Sequence, residues 1–268
     1  LNTTTTIGIH LEHLIRGVQQ DSLMFYQNEA VTMFLSKSTR PADLAAVIKR
    51  LDDYMKNFLA YNQFISAVSL CRTDGIQYHS SSDYAEIDQE RLKLIFGQTG
   101  KLSFIGQQDS ILTKGQAAYV FSRKIHDVND LTTVLGAMQI YVAQDNIQKL
   151  FETIPLAKSS EYYITDGNLS DAMIADLRTD GSLFKKSDLA GIVAEDAQSG
   201  VRFKEINDTL HIISYYRISF GGSEWVLVHY GSGYAVGRPL TDWFIPVLLL
   251  GIIVCTFFAY WLSAHVFR

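Results

Sequence analysis

An uninterrupted apolar segment near the C-terminus constrains the fold of this chain more than any other feature. Residues 244–262 read FIPVLLLGIIVCTFFAYWL, 19 residues without a charged side chain. An α-helix needs roughly 20 such residues to cross the hydrocarbon core of a bilayer. Trp243 stands at one end and Tyr260 and Trp261 at the other, as aromatic side chains do at membrane interfaces. The segment predicts a transmembrane helix over 243–263, with a buried core helix as the alternative.

Composition predicts a folded region before this segment and excludes some classes of partner. Of the 268 residues, 47% are hydrophobic and 19% charged, which favours a packed core over disorder. The net charge is −5, and no Lys/Arg cluster offers phosphate contacts, so no nucleic-acid partner is expected. Because Cys255 lies in the apolar segment, we expect no disulfide with Cys71. No signal peptide is visible at Leu1, so we expect one that has been removed, or a preceding membrane helix.

Apolar spacing predicts two helices at the start of the chain. Over 7–36, apolar residues recur at helical intervals, and this stripe suits packing either on a partner helix or on its own domain. Pro41 is placed to open a second helix. The stripe of the first helix is Leu11, Leu14, Val18 and Phe25, and that of the second is Leu44, Val47, Ile48, Leu51, Met55 and Phe58.

The remainder predicts two α/β units with the same order of elements. In each, Asp-Gly follows a short apolar strand candidate, at 74–75 and at 166–167, and marks a turn. The predicted strands are 64–71, 76–80, 117–124, 132–142, 161–165, 201–205, 209–219 and 224–230, and the predicted helices are 88–96, 146–154 and 188–197. A hairpin, a helix and antiparallel strands give the element order of a PAS-like α+β fold.

Four stretches resemble the double Cache sensor modules of bacterial membrane receptors, above all those of Cache-containing sensor histidine kinases. They are NEAVTMFL at 28–35, FISAVSLCRTDGIQYHSS at 64–81, VLGAMQIYVAQDNIQKLF at 134–151 and SYYRISFGGSEWVLVHYGS at 214–232. The resemblance implies an α+β fold in four parts. These are signalling helices over 1–62, a membrane-distal Cache unit over 63–155, a membrane-proximal unit over 156–235, and the transmembrane helix.

The resemblance also implies a function. Residues 1–242 would be extracytoplasmic and would pass ligand or partner binding across the cell membrane to a kinase, which acts through its cognate response regulator. The expected partners are a small molecule, such as a sugar, or a solute-binding protein, and a second copy in a homodimer. No cofactor is implied. The alternatives are the ligand-binding region of a chemoreceptor or cyclase, or a membrane-anchored surface enzyme.

Ligand binding is expected in the membrane-distal unit. An arginine offers paired donors to a carboxylate or hydroxyl, and tyrosines suit small polar ligands, although core packing is the favoured explanation for such tyrosines. The amino-acid-binding branch of the family carries a Tyr/Arg/Trp/Tyr/Asp signature, of which the Trp is missing here. His10 and His13 share a helix face, but no third ligand stands at a suitable spacing, so no metal site is predicted. The predicted ligand-binding residues are Tyr78, Arg91, Tyr119, Phe121, Arg123, Tyr141 and Asp145.

Overall fold

A computed structural model describes most of the chain. The described residues are 2–37, 39–84, 86–98, 100–112, 116–152, 160–167, 173–176, 197–206, 209–232, 246–257 and 260–261. The predicted helix at 188–197 therefore lies almost wholly outside the described residues.

Three helices open the chain. They are α1 (Asn2–Met24), α2 (Glu29–Leu35) and α3 (Pro41–Tyr61). A 3-10 turn at Phe25–Gln27 interrupts the predicted single helix, and Asn28 starts α2 by accepting a hydrogen bond from Val31 N through its side chain. The apolar stripes of α1 and α3 are buried within one core together with both sheets, so the stripe of α1 packs on its own domain.

The first sheet has five antiparallel strands in the order β2-β1-β5-β4-β3. Helix α4 joins β2 to β3, and α5 follows β5. Strand β3 was not predicted, because its polar glutamines and Gly106 break the apolar pattern of a strand. The bounds are β1 Ile65–Arg72, β2 Gln77–His79, α4 Gln89–Gly97, β3 Ser103–Asp109, β4 Ala117–His126, β5 Val134–Ala143 and α5 Gln144–Glu152.

The second sheet repeats this topology, with five antiparallel strands in the order β7-β6-β10-β9-β8. In both sheets the first strand of the unit pairs with its short hairpin partner on one side and with the last strand on the other. Strand β7 was not predicted, whereas the other four were. The bounds are β6 Ser160–Asp166, β7 Met173–Asp176, β8 Ser199–Ile206, β9 Thr209–Phe220 and β10 Ser223–Ser232.

Helix α1 packs on both sheets. Near its start, Thr4 Oγ1 lies 2.6 Å from Ser214 Oγ on β9. Near its end, Ser22 Oγ accepts a 2.7 Å hydrogen bond from Arg123 of the first sheet. Gly8 allows the close approach, because a Cβ there would collide with the ring of Tyr216. The helix therefore links the two sheets mechanically.

The two sheets also touch each other directly, through an aromatic cluster centred on Trp225 of β10. This fully buried ring contacts Phe104 and Phe121 of the first sheet at centroid distances of 5.2 and 5.5 Å. The β9–β10 turn docks beside this cluster, where Ser223 Oγ accepts a 3.1 Å hydrogen bond from Phe104 N. Both sheets consequently belong to one continuous core.

The C-terminal segment is helical over residues 246–257, and its large apolar side chains are exposed. Among the residues that the structure describes, no helix is both long and apolar enough to cross a membrane. The other parts of the predicted span, including 243–245, 258–259 and 262–263, lie outside the described residues.

Candidate functional site

The seven predicted ligand-binding residues do not form one group. The first sheet is buried on both faces, with an inner face against α1–α3 and an outer face toward α4. Because strand side chains alternate between faces, neighbours in sequence are separated. Tyr78, Tyr119, Phe121 and Arg123 point to the inner side, and Tyr141 belongs to the outer side.

On the inner face, the three aromatic residues are core residues. Tyr78 donates a 2.8 Å hydrogen bond to Asp52 Oδ1 of α3. Tyr119 and Phe121 both pack against Trp225, and the Tyr119 hydroxyl has no hydrogen-bond partner in the part of the chain described. Burial raises the pKa of both tyrosines well above the usual range, so both hydroxyls are neutral.

Arg123 is also turned toward the helices. Its guanidinium donates to Ser22 Oγ at 2.7 Å and to the carbonyl oxygen of Gly100, and it lies 5.5 Å from the ring centroid of Tyr26. The side chain is only 7% exposed. In this arrangement Arg123 ties β4 to the end of α1.

On the outer face, Tyr141 is buried, and the ring of Tyr84 stacks on it at 4.3 Å and 11° between planes. Tyr84 belongs to the segment between β2 and α4, and its hydroxyl lies 3.2 Å from Ser66 Oγ. Arg91 of α4 donates to Gln108 of β3 over the same face. Asp145 is exposed at the start of α5, where it accepts from Gln116 at 3.4 Å. Tyr141 and Arg91 are thus the two predicted residues that share a face.

Sequence reasoning missed a line of polar side chains on this outer face, three of them buried and the fourth, His79, half-buried. His79, Ser69, Gln139 and Ser122 are register neighbours on four successive strands, β2, β1, β5 and β4. We call these four residues the outer row. Gln139 and Ser122 are 0% exposed. The available signal was a polar residue directly after two apolar ones, as in AVS at 67–69, AMQ at 137–139 and VFS at 120–122.

Only some of the polar atoms of the outer row have hydrogen-bond partners. Ser69 Oγ lies 2.7 Å from His79 Nδ1, and Gln139 Oε1 accepts from the Tyr141 hydroxyl at 2.7 Å. Ser122 donates to Gln98 at 3.3 Å. His79 Nε2 and Gln139 Nε2 are buried and have no partner among the described residues. An unpaired buried polar atom costs about 1–3 kcal/mol. These two belong to β2 and β5, the strands on either side of β1.

The electrostatics of the outer face favour neutral groups. Burial lowers the pKa of His79, against the opposing effect of Glu86, and so favours the neutral imidazole. Burial raises the pKa of Tyr141, although a hydrogen bond from Ser69 and the positive charge of Arg91 oppose it. The ionisable side chains at the centre of this face are therefore uncharged near neutral pH.

Two surface cavities lie elsewhere. One, of about 450 Å³, lies between α1 and the α3–β1 turn and includes His10, His13 and Tyr61 in its lining. The other, of about 490 Å³, lies between α2, the start of α3 and the β4–β5 loop. Neither is lined by the outer row. Within the described part of the chain, no group of three His, Cys, Asp or Glu side chains is arranged to hold a metal ion.

The fold is that of extracellular ligand-binding domains of the Cache type. Over 88% of this chain and 93% of the other, it matches the extracellular domain of rpHK1S-Z16, a protein assigned as a histidine kinase, with a TM-score of 0.63 and 13% identity. The predicted double Cache resemblance is thereby confirmed at the level of the fold.

Two chemoreceptor domains match with slightly lower TM-scores. The ligand-binding domain of Campylobacter jejuni Tlp3, in complex with 4-methylisoleucine, matches with a TM-score of 0.59 and 10% identity over 89% of this chain and 93% of its own. That of Pseudomonas aeruginosa PctB, in complex with L-Arg, matches at 0.58 and 12% over 87% and 93%. No protein-family model matches the sequence, and no curated protein matches it.

Proposed function

We propose that this chain is the extracytoplasmic sensing region of a membrane receptor, and that its ligand binds on the outer face of the first sheet. The observation that carries this proposal is the outer row, with two buried polar atoms that the described protein leaves unpaired. The matching fold of domains solved with amino acids bound supports a ligand-binding role. Tyr141 and Arg91 would complete the site, because both lie beside the row.

A thermal-shift screen of the full chain in lipid nanodiscs tests this proposal. A ligand at 100 times its Kd adds roughly 2.7 kcal/mol to the free energy of unfolding. We expect a dose-dependent shift for one compound class among sugars, amino acids and organic acids, and expect Tyr141→Ala to abolish it. Tyr61→Ala is the matched control, because Tyr61 is 87% exposed and lies outside this face. A shift that Tyr141→Ala leaves intact would place the site elsewhere, and no shift at all would favour sensing through a solute-binding protein.

We further propose that residues 243–263 form the membrane span and that residues 1–242 lie outside the cell. The uncharged sequence supports this, as do the apolar side chains exposed on all sides of the helix at 246–257. In proteoliposomes of a Cys71→Ser variant, Cys255 should resist a water-soluble maleimide until detergent is added. An added cysteine at the exposed Ser219 is the control that should react at once. Equal reaction rates at both positions would exclude the span.

For the output we propose a histidine kinase, in line with the sequence resemblance and with the rpHK1S-Z16 match. A chemoreceptor is the second candidate, because Tlp3 and PctB match over a similar share of the chain. In the full-length receptor, ATP-dependent phosphorylation of a histidine, altered by the ligand, would support the kinase. Ligand-dependent methylation without phosphohistidine would support the chemoreceptor.

A further inference from the structure

The chemistry of the outer row also limits which class of ligand it accepts, an inference that rests on the proposed function. The two unpaired atoms are the amide nitrogen of Gln139, which is a donor, and the Nε2 atom of His79. If His79 donates from Nδ1 to Ser69, its Nε2 is an acceptor. A hydroxyl group both accepts and donates, and β1 separates the strands of the two residues. Two hydroxyl groups on different sides of one polyol ring would therefore suit the two atoms without bringing a charge into the buried face.

Three charged side chains around the row, those of Arg91, Lys124 and Asp83, already have partners. The Arg91 guanidinium donates to Gln108 and lies 4.0 Å from Asp88, and Lys124 donates to the carbonyl oxygen of Phe96 at 3.1 Å. Asp83 accepts from Ser81 at 2.7 Å. An amino acid would bring both a carboxylate and an ammonium group, and burying either without a counter-charge is costly. The row itself is made of neutral side chains, which favours an uncharged ligand.

The stacked tyrosines show what shape of molecule fits beside the row. The Tyr84 ring lies parallel to Tyr141 at 4.3 Å, and thus takes the place that the flat C–H face of a sugar ring would occupy. Tyr84 is half-buried and is joined to the sheet by the Ser66 hydroxyl, so it can leave at modest cost. Because Ala67 and Val120 flank Tyr141 in register, the space released has apolar walls next to the polar row.

We propose that the outer row binds an uncharged, polyhydroxylated ring compound, which displaces Tyr84 from the face of Tyr141 and pairs with Gln139 and His79. Tyr84 then acts as an internal competitor for the site. Removing its ring should strengthen binding, because the ligand no longer has to select the fraction of molecules with an open site. A side chain with a purely structural role would weaken binding when removed.

Isothermal titration of the full chain in nanodiscs tests this, with D-glucose, D-galactose, D-xylose and myo-inositol as neutral probes and L-alanine, L-arginine and succinate as charged ones. We expect one neutral probe to bind, Gln139→Leu to abolish its binding, and Tyr84→Ala to lower its Kd by about tenfold. Gln139→Glu is the second variant, since it retains an acceptor for the Tyr141 hydroxyl and replaces the unpaired amide nitrogen with a carboxyl oxygen. Circular dichroism confirms that each variant is folded.

The outcomes separate this inference from the proposed function. Binding of a charged probe that Tyr141→Ala abolishes, with no neutral probe bound, would overturn the ligand class and keep the sensing site. If Tyr84→Ala binds a neutral probe more weakly than the wild-type chain does, the proposal that the ligand displaces Tyr84 is overturned. If no probe binds to either the wild-type chain or the Tyr84→Ala variant, the inference and the proposed site are both overturned.

Discussion

At the residue scale, Arg123 shows how burial changes the meaning of a side chain. A guanidinium at a strand end suits either a ligand or solvent, but this one donates hydrogen bonds to Ser22 and Gly100 at the end of α1 and the loop after α4. Its long stem also fills space in the core. The arginine thus stabilises the packing of the helix on the sheet.

We expect Arg123→Ala to lower the free energy of unfolding by about 2–4 kcal/mol, because it leaves two acceptors unpaired and opens a gap. Arg40→Ala is the control, since the Arg40 side chain is 80% exposed, and it should cost less than about 1 kcal/mol. Urea denaturation followed by circular dichroism measures both. Similar losses for the two variants would contradict the role we give to Arg123.

His229 of the second sheet makes stability depend on pH. Its ring stacks on Tyr162 at 4.5 Å, its Nδ1 lies 3.2 Å from Ser214 Oγ, and burial lowers its pKa to about 4. An unfolded histidine titrates near pH 6.5, so between about pH 6.5 and 4 the unfolded chain binds a proton that the folded chain does not. This contribution to stability is complete above pH 6.5 and is lost as the pH falls toward 4.

We expect His229→Gln to remove about 2–3 kcal/mol of the pH-dependent change in unfolding free energy between pH 7 and pH 4. The measurement is a series of urea titrations across that range, with His13→Gln, at an exposed position of α1, as the control. If the pH dependence of His229→Gln equals that of the wild-type chain, the histidine is not the source.

At the scale of elements, two turns each contain a glycine with positive φ, and the two glycines differ in their surroundings. Gly75 (φ +93°) closes the β1–β2 hairpin, and nothing lies within 4 Å of a Cβ placed there. Gly221 (φ +62°) closes the β9–β10 turn, where a Cβ would collide with the backbone of Leu102. Both positions favour glycine, but only the second also controls the contact between the sheets.

We expect Gly75→Ala to cost about 1 kcal/mol and Gly221→Ala about 2–4 kcal/mol, since the second adds steric overlap to the same backbone strain. Hydrogen exchange of Phe104 N, which donates to Ser223, should become faster in Gly221→Ala alone. Equal destabilisation by the two variants, with Phe104 still protected, would show that the turn does not hold the sheets together.

At the scale of the whole molecule, Trp225 and α1 both connect the two sheets. Trp225 contacts Tyr119 and Phe121 of β4. Along that strand, these two residues alternate with Val120 and Ser122 of the outer face. A ligand that shifts β4 would therefore change the packing around Trp225. This is a physical connection between the proposed site and the second sheet.

We expect Trp225→Ala to lower the free energy of unfolding by about 3–5 kcal/mol and to replace one cooperative urea transition with two, as the sheets unfold separately. Phe203→Ala, at a ring of the second sheet that is 67% exposed, is the control that should leave one transition. A single transition in Trp225→Ala, shifted by less than about 1 kcal/mol, would show that the cluster does not join the sheets.

The sequence by itself determined the elements whose cause is local. The spacing of apolar residues predicted α3 and most of the strands, and Asp74-Gly75 predicted the first hairpin. The apolar segment 244–262 predicted a span on composition alone. Strands β3 and β7 escaped prediction because β3 carries polar residues and β7 has only four residues, so each depends on pairing with a neighbour for its stability.

Only the tertiary structure decided which side chains of each strand share a face. Alternation of apolar and polar residues reveals the core side of a strand when the other side faces water. The first sheet, however, is covered on both faces. The sequence therefore placed Tyr119, Arg123 and Tyr141 in one site, although the pleat puts the first two on the opposite face from the third. It also gave no reason to join His79, Ser69, Gln139 and Ser122, which strand pairing, a long-range contact, brings into one row.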